Sequence, residues 1–400
     1  MESPRPQLVI LAEAPDAFVE LFGISMVERL LRQAQRIGFR EAIVLSTTPA
    51  EIAAHLAAPS WARAQISLSF HQREPGPVSM LQVAGKERAL VVSAGFYYDA
   101  RLLKTLAGKT TTTVLVDSRR PAETIRLWQK EPLDFSGAAL VIPDSASEPK
   151  QCDAANEPTY VTALRKHVRP VFFPAPSPEL IPVAEKYVRD LAQNGVLDFP
   201  GFLDSPIEDW IVSRLCHTSI RPNQVTFVTM LIGLAVTALF AAGRLWWGVA
   251  LAYAIEVLDG VDGKLARTKV ETTTAGQWEH EVDYTIELSW WTALAFHFRT
   301  SGIASAYWLL ALYVVSDLID RVAKRAVKLK VGRNLDDVSN FDRFVRCIGA
   351  RRNINIWILI AALALGDPGN GFVLFCWWGA AGAVAHVVRA IQIRAMTKSE

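Results

Sequence analysis

The sequence predicts two unlike parts. Residues 1–145 read as an α/β domain with a parallel sheet, and residues 224–400 as an all-α integral membrane domain of about six transmembrane helices. Three observations predict this. Short apolar runs alternate with helical stretches in the first part. After Gln224 the apolar residues, 51% of the chain overall, gather into segments near the ~20 residues that a bilayer requires. Basic residues cluster between alternate apolar segments.

In the first part, Leu8–Ala12 suits a buried strand, and Met26–Ile37 has helical periodicity that stops at Gly38. Ala42–Leu45, Ala89–Ser93, Thr111–Val116 and Ala138–Ile142 are further strand candidates. Residues 146–204 read as a proline-rich linker, broken by Pro158, Pro170, Pro174, Pro176, Pro178 and Pro182, with a helix over Pro182–Gln193. Residues 205–223 then suit an amphipathic juxtamembrane helix. Ser205 caps it, Pro206 takes the first helical position, and Glu208 stands at capping-box spacing. With Trp210 and Arg214 this helix could lie along a membrane surface or pack on the soluble domain.

The apolar segments are Gln224–Ala242, Leu245–Gly263, Trp278–Phe298, Ile303–Arg321, Asn353–Leu365 and Gly371–Ile391. Arg214, Arg221, Lys264, Arg267, Lys269, the run from Arg321 to Arg352, and Arg389, Arg394 and Lys398 fall on one side; Arg244 and Arg299 fall on the other. The positive-inside rule makes the richer side cytoplasmic. The N-terminus, MESPRPQLVILAEAPDAF, does not read as a signal peptide, so the soluble domain is expected in the cytoplasm too.

A net charge of only +2 gives no reason to expect nucleic acid. Cys152, Cys216, Cys347 and Cys376 are far apart and suggest neither a zinc site nor a disulfide framework.

The chemistry gathers between Glu256 and Glu287. Asp259, Asp262 and Ala266 share one helical face, as do Glu279, Asp283 and Glu287. The two helices are expected to point carboxylates at each other across a short basic loop. Several acids facing one cavity near a bilayer suggest a site for a hard divalent cation. Gly263 and Ala266 would let a ligand approach the helix, and Arg267 could pair with phosphate.

This stretch resembles the CDP-alcohol phosphotransferase signature, D-x2-D-G-x2-A-R-x8-G-x3-D-x3-D. Asp259, Asp262, Gly263, Ala266, Arg267 and Gly276 match it. The strict register then meets His280 and Tyr284. A one-residue slip gives Glu279 and Asp283, the preferred pair, and the opposite slip gives Asp283 and Glu287. The resemblance implies transfer of a phosphoalcohol from a CDP-alcohol to an acceptor hydroxyl, with release of CMP. It implies Mg²⁺ (or Mn²⁺) held by Asp259, Asp262, Glu279 and Asp283, with Asp283 as the general base. Ile220–Thr226, IRPNQVT, resembles the family's entry into its first membrane helix and makes Asn223 and Thr226 candidate nucleotide contacts; a plain helix cap fits equally.

Arg343, Arg346, Arg351 and Arg352, in a loop between the fourth and fifth segments, could dock a phosphorylated acceptor or a lipid headgroup, or simply obey the topology rule. Asp317 and Asp320 are expected to pair with Arg321 and Lys324.

VILAEAPDAF, ERLLRQAQRIGFREAIVLS and LVVSAGFYYDARLL are similar to the sugar-nucleotidyltransferase family. The glycine-rich phosphate loop is missing, however, and Gly95 stands where that family has a metal-binding Asp. The domain is therefore expected to be inactive and kept for regulation, docking or stability. Its fusion to the membrane part is similar to that of bifunctional enzymes that make and then use CDP-inositol, which favours an inositol-phosphate acceptor. A homodimer is an open assembly state. Rival readings are a non-catalytic nucleotide- or metal-binding membrane protein, and a cytidylyltransferase in the N-terminal domain.

Overall fold

The computed structural model describes residues 5–57, 66–76, 83, 87–128, 137–143, 148–195, 198–271 and 276–396, without the side chains of 276–280 and 396.

A seven-stranded sheet organises the N-terminal part. Its strands are β1 (Gln7–Leu11), β4 (Glu41–Ser46), β5 (Ser67–Gln72), β6 (Ala89–Ser93), β8 (Thr113–Val116), β9 (Ala138–Val141) and β10 (Lys150–Asp153). The two-residue β2 (Glu20–Leu21) and β3 (Ile24–Ser25) pair with each other, and β7 (Phe96–Tyr98) follows β6. The sheet order is β10-β8-β9-β6-β1-β4-β5. β1 and β6 are the central strands, apolar and buried on both faces, as parallel strands covered by helices require. The sheet is not wholly parallel: β9 runs antiparallel to both β6 and β8. Nor does the N-terminal fold stop at Ser145, because β10 pairs in parallel with β8, and Phe172–Pro174 pairs with β7 in a separate two-stranded sheet. The polar sequences of β5 and β10, SLSFHQ and KQCD, hide them as strands; both lie on sheet edges, where burial asks for less apolar surface.

Helix α1 (Met26–Arg36) begins at Ser25, whose hydroxyl accepts from the Glu28 amide at 3.4 Å. It ends before Gly38, which takes φ +97°. Four polar residues of α1, Glu28, Arg29, Arg32 and Gln33, are buried. An exposed surface helix would not bury them; the C-terminal half of the chain covers this face.

The remaining helices used below are α2 (Ile181–Ala192), α3 (Phe199–Leu215), α4 (Pro222–Ala241), α5 (Leu245–Thr268), α6 (Gly276–Thr300), α7 (Ala306–Val331), α8 (Asn340–Ile348), α9 (Arg352–Ala364) and α10 (Pro368–Met396). Each of the six expected apolar segments lies on a helix. Among the described residues, α4 and Pro368–Ala395 of α10 are long and apolar enough to cross a membrane. α8 and α9, bent by 44° at their junction, meet the same test as a pair. α5, α6 and α7, of 24, 25 and 26 residues, carry the acids and bases of the site within their length. The stretch around Arg343 and Arg346 is helix α8 rather than loop, started by Ser339, which accepts from the Asp342 amide.

Helix α3 starts seven residues earlier than its proline suggests. Asp198 caps it, accepting from the Gly201 amide at 3.1 Å, and Pro206 lies inside it. Its apolar side chains Phe199, Phe202, Leu203, Ile207 and Trp210 are exposed, while Asp204 and Glu208 are buried.

The core of the helical region is aromatic, with Trp290, Trp291, Phe372 and Phe375 fully buried. A second cluster joins the two parts of the chain. It packs Leu21, Phe22 and Met26 of the N-terminal domain against Val257, Val261 and Leu265 of α5.

Candidate active site

Helix α5 carries the motif and is held from several sides. Gly248 lets α4 come close: a Cβ there would meet a Phe240 ring carbon at 2.3 Å. Gly260 does the same for α3, since its Cβ would lie 2.0 Å from Glu208 Oε1. Lys264, 1% exposed, donates to Asp209 Oδ1 at 2.7 Å and stands 3.3 Å from Glu208 Oε2. Burial pushes the Glu208 and Asp204 carboxyls above the usual range, and Lys264 opposes this at Glu208.

Asp262 is buried, and its Oδ2 accepts from Thr226 Oγ1 of α4 at 2.8 Å. Thus two of the residues singled out in the sequence meet across two helices. Asn223, one turn before Thr226, is exposed at the start of α4. Asp259 pairs with Arg352 at the first turn of α9. Arg352 also lines a cavity of ≈ 370 Å³ with Asp283, Glu287, Tyr313, Lys324 and Arg346. The two acidic faces therefore do not simply look at each other: a guanidinium from a third helix stands against one of them and borders the cavity of the other.

Helix α6 is set by α4. Gly233 leaves room for Ile286, and the Trp290 indole donates to the Gly233 carbonyl at 2.8 Å. Glu287 accepts from Trp291 Nε1 at 3.2 Å. The side chain of Glu279 lies outside the described residues, so the choice between the two registers stays an expectation.

Arg267 has protein partners in this structure. Its Nε donates to the Ala192 carbonyl of α2 at 2.8 Å, and its guanidinium folds over Gly263, where a Cβ would lie 3.2 Å from Nη1. Ala266, one turn beyond Asp262, is half-buried. The basic residues ahead of α9 also have acidic partners. Arg343 pairs with Asp337, Arg346 with Asp336 at 2.7 Å, and Arg351 stands 3.8 Å from Asp198. Asp317 and Asp320 pair with Arg321 and Lys324, each at 2.7 Å, as the sequence suggests.

The donor set of the motif is all carboxylate oxygen, which suits a hard divalent cation. Among the described residues no group of three or more His, Cys, Asp or Glu converges closely enough to hold a metal ion. Arg352, Gly260 and Lys264 escape a motif search because their partners are far away in sequence. Nothing local marks Arg352 as a neighbour of Asp259.

In the N-terminal domain the segments that follow β1 and β7 hold internal networks. Glu13, two residues past β1, accepts from the Thr47 amide at 3.2 Å and pairs with Arg73 at 2.5 Å. Asp99 caps the helix that follows β7 and pairs with Arg101 at 2.6 Å.

Residues 219–335 match the CDP-alcohol phosphatidyltransferase family. A bifunctional IPC transferase and DIPP synthase of Aquifex aeolicus is 24% identical over 326 residues, 72% of this chain and 74% of that one. Among solved structures, phosphatidylinositol phosphate synthase of Mycobacterium tuberculosis with CDP-DAG bound gives a TM-score of 0.37 at 17% identity, covering 47% of this chain and 93% of the other. A structure described as a glucose-1-phosphate thymidylyltransferase from Bacillus anthracis gives 0.31 at 10% identity, covering 46% and 95%.

Proposed function

From the premise that residues 219–335 are a CDP-alcohol phosphatidyltransferase domain, which makes this protein a transferase, we infer the following reaction. The protein moves the phosphoalcohol part of a CDP-alcohol to an acceptor hydroxyl, in phospholipid or inositol-phosphodiester synthesis. The acceptor oxygen bonds to the phosphorus, the bond to the bridging oxygen breaks, and CMP leaves. Transfer is supported above all by the DGVDGKLAR run inside the matched residues, with its Asp262 tied to Thr226.

Asp259, Asp262, Glu279 and Asp283 would hold one or two divalent ions, Mg²⁺ or Mn²⁺. Bound there, the ions would neutralise charge on the pyrophosphate and on the departing CMP. Asn223, Thr226, Gly263, Ala266, Arg267 and Gly276 form the nucleotide side of the site. Asp283, which lines the cavity, takes the proton of the acceptor hydroxyl. Lys324, Arg346, Arg351 and Arg352 in the cavity wall favour a phosphorylated acceptor, and the Aquifex relative's name suggests an inositol phosphate.

All six helical segments span the bilayer in this reading, with the basic loops, the soluble domain and the site on the cytoplasmic side. The exposed apolar stripe of α3 lies in the membrane interface. A homodimer is compatible with it.

The test is CMP release by the purified protein in detergent, from CDP-diacylglycerol or CDP-inositol, with polyol and phosphopolyol acceptors. Release should require a divalent metal, stop with EDTA, and be lost in Asp262→Asn. No CMP from any donor, with cytidine nucleotide still bound, would make the protein a binding protein.

A further inference from the structure

The end of α5 is completed by the N-terminal domain. An α-helix leaves its last four carbonyls without helical partners. Here Glu271 N–H bonds the Ala266 carbonyl at 2.9 Å and Val270 N–H reaches the Arg267 carbonyl at 3.4 Å, a Schellman closure. Val270 takes φ +52°, a conformation that a β-branched residue adopts only when its surroundings impose it. The next two carbonyls go to arginines of α1. Arg29 Nη2 donates to the Thr268 carbonyl at 2.8 Å, and Arg32 Nη1 donates to the Lys269 carbonyl at 2.7 Å. Arg32 also stands 3.3 Å from Glu271 Oε1.

Both arginines are buried, 2% and 1% exposed. Burial lowers Arg29 to about 10, so it remains a cation at neutral pH, and cations are favoured at a helix C-terminus. Lys269, at the same turn, donates to the Thr218 and Ile220 carbonyls just before α4. A second contact grips the cavity wall. Tyr160 donates to Asp337, and Arg165 stands 3.6 Å from Asp336, the partner of Arg346.

We propose that Arg29 and Arg32 are positioning residues of the transfer site, and that the N-terminal domain serves as a scaffold fixing the C-terminal end of α5. The motif acids Asp259 and Asp262 stand on this helix. Their placement against the cavity therefore depends on a helix whose last carbonyls are held from the other domain. This rests on the transfer reaction proposed above.

The test uses the full chain in detergent, with Arg29→Met, Arg32→Met, their double variant, and Arg29→Lys and Arg32→Lys. Two quantities are read: kcat and KM for CMP release, and amide hydrogen exchange of residues 266–283. In the double variant kcat should fall at least about tenfold with donor KM within about twofold, as misplacement of reacting groups predicts. Exchange should accelerate in 266–283 and stay slow in β1 and β6. The lysine variants should fall between, since each keeps the charge but loses the planar fork.

Unchanged kcat with faster exchange would reduce the arginines to structural caps and overturn the proposal. So would a uniform loss of protection across the chain. If the Met variants do not fold, Lys variants matching wild type in both readouts overturn it equally. If the unaltered protein releases no CMP, the transfer reading fails, and exchange at 266–283 still decides whether the arginines hold the turn.

Discussion

The loop leaving β1 and the last turns of α5 both gather charged and polar groups, and they use them differently. In the loop, Glu13 is committed to Thr47 and Arg73, all within the same domain. At α5, the two motif acids meet partners from other helices: Asp262 meets Thr226 of α4, and Asp259 meets Arg352 of α9. The first arrangement closes a loop upon itself. The second brings separate elements together beside a cavity, which is the condition for holding a substrate between them.

Three substitutions would break or sharpen this contrast. The largest effect is expected from Asp283→Asn. It keeps the side-chain shape, removes the proposed base, and should lower CMP release by ~10²–10⁴-fold while thermal stability stays unchanged. Release at the wild-type rate would move the base elsewhere.

Gly260→Ala comes next. The added methyl would lie 2.0 Å from Glu208 Oε1 and 2.2 Å from its Cδ, so α3 or the carboxylate has to shift. A loss of about 1–3 kcal/mol in thermal or denaturant unfolding is expected, the usual cost of overpacking. An unchanged melting temperature would mean that the α3–α5 contact is loose.

The smallest effect is expected from Glu13→Gln, which weakens a partly exposed pair with Arg73 by about 1 kcal/mol or less. CMP release should be unaltered. A clear fall in release would show that the loop after β1 takes part in transfer after all.

Much of this was legible in the sequence. The central strands β1, β4 and β6 announce themselves by continuous or alternating burial, and α1 by its cap and its glycine stop. The motif residues of α5 stand out because helical spacing is a local property. Other features differ from the local pattern for equally physical reasons. Pro206 suits a first turn and points to Ser205 as the cap of α3, but Asp198 caps the helix earlier and the proline is carried inside it. The edge strand β10 and the antiparallel β9 depend on which neighbours the sheet recruits. The number of membrane spans is expected from apolar length, and α5, α6 and α7 combine that length with charged residues.

By itself, the sequence determined the chemistry available: a row of acids at helical spacing, small residues beside them, and an N-terminal loop without a glycine-rich run. The tertiary structure alone decided which groups meet. Arg352 reaches Asp259 from 93 residues away, and Arg32 reaches the Lys269 carbonyl from 237. Spacing along a helix or strand is written in neighbouring residues, whereas these partners are set by how whole elements pack, and no local pattern encodes that.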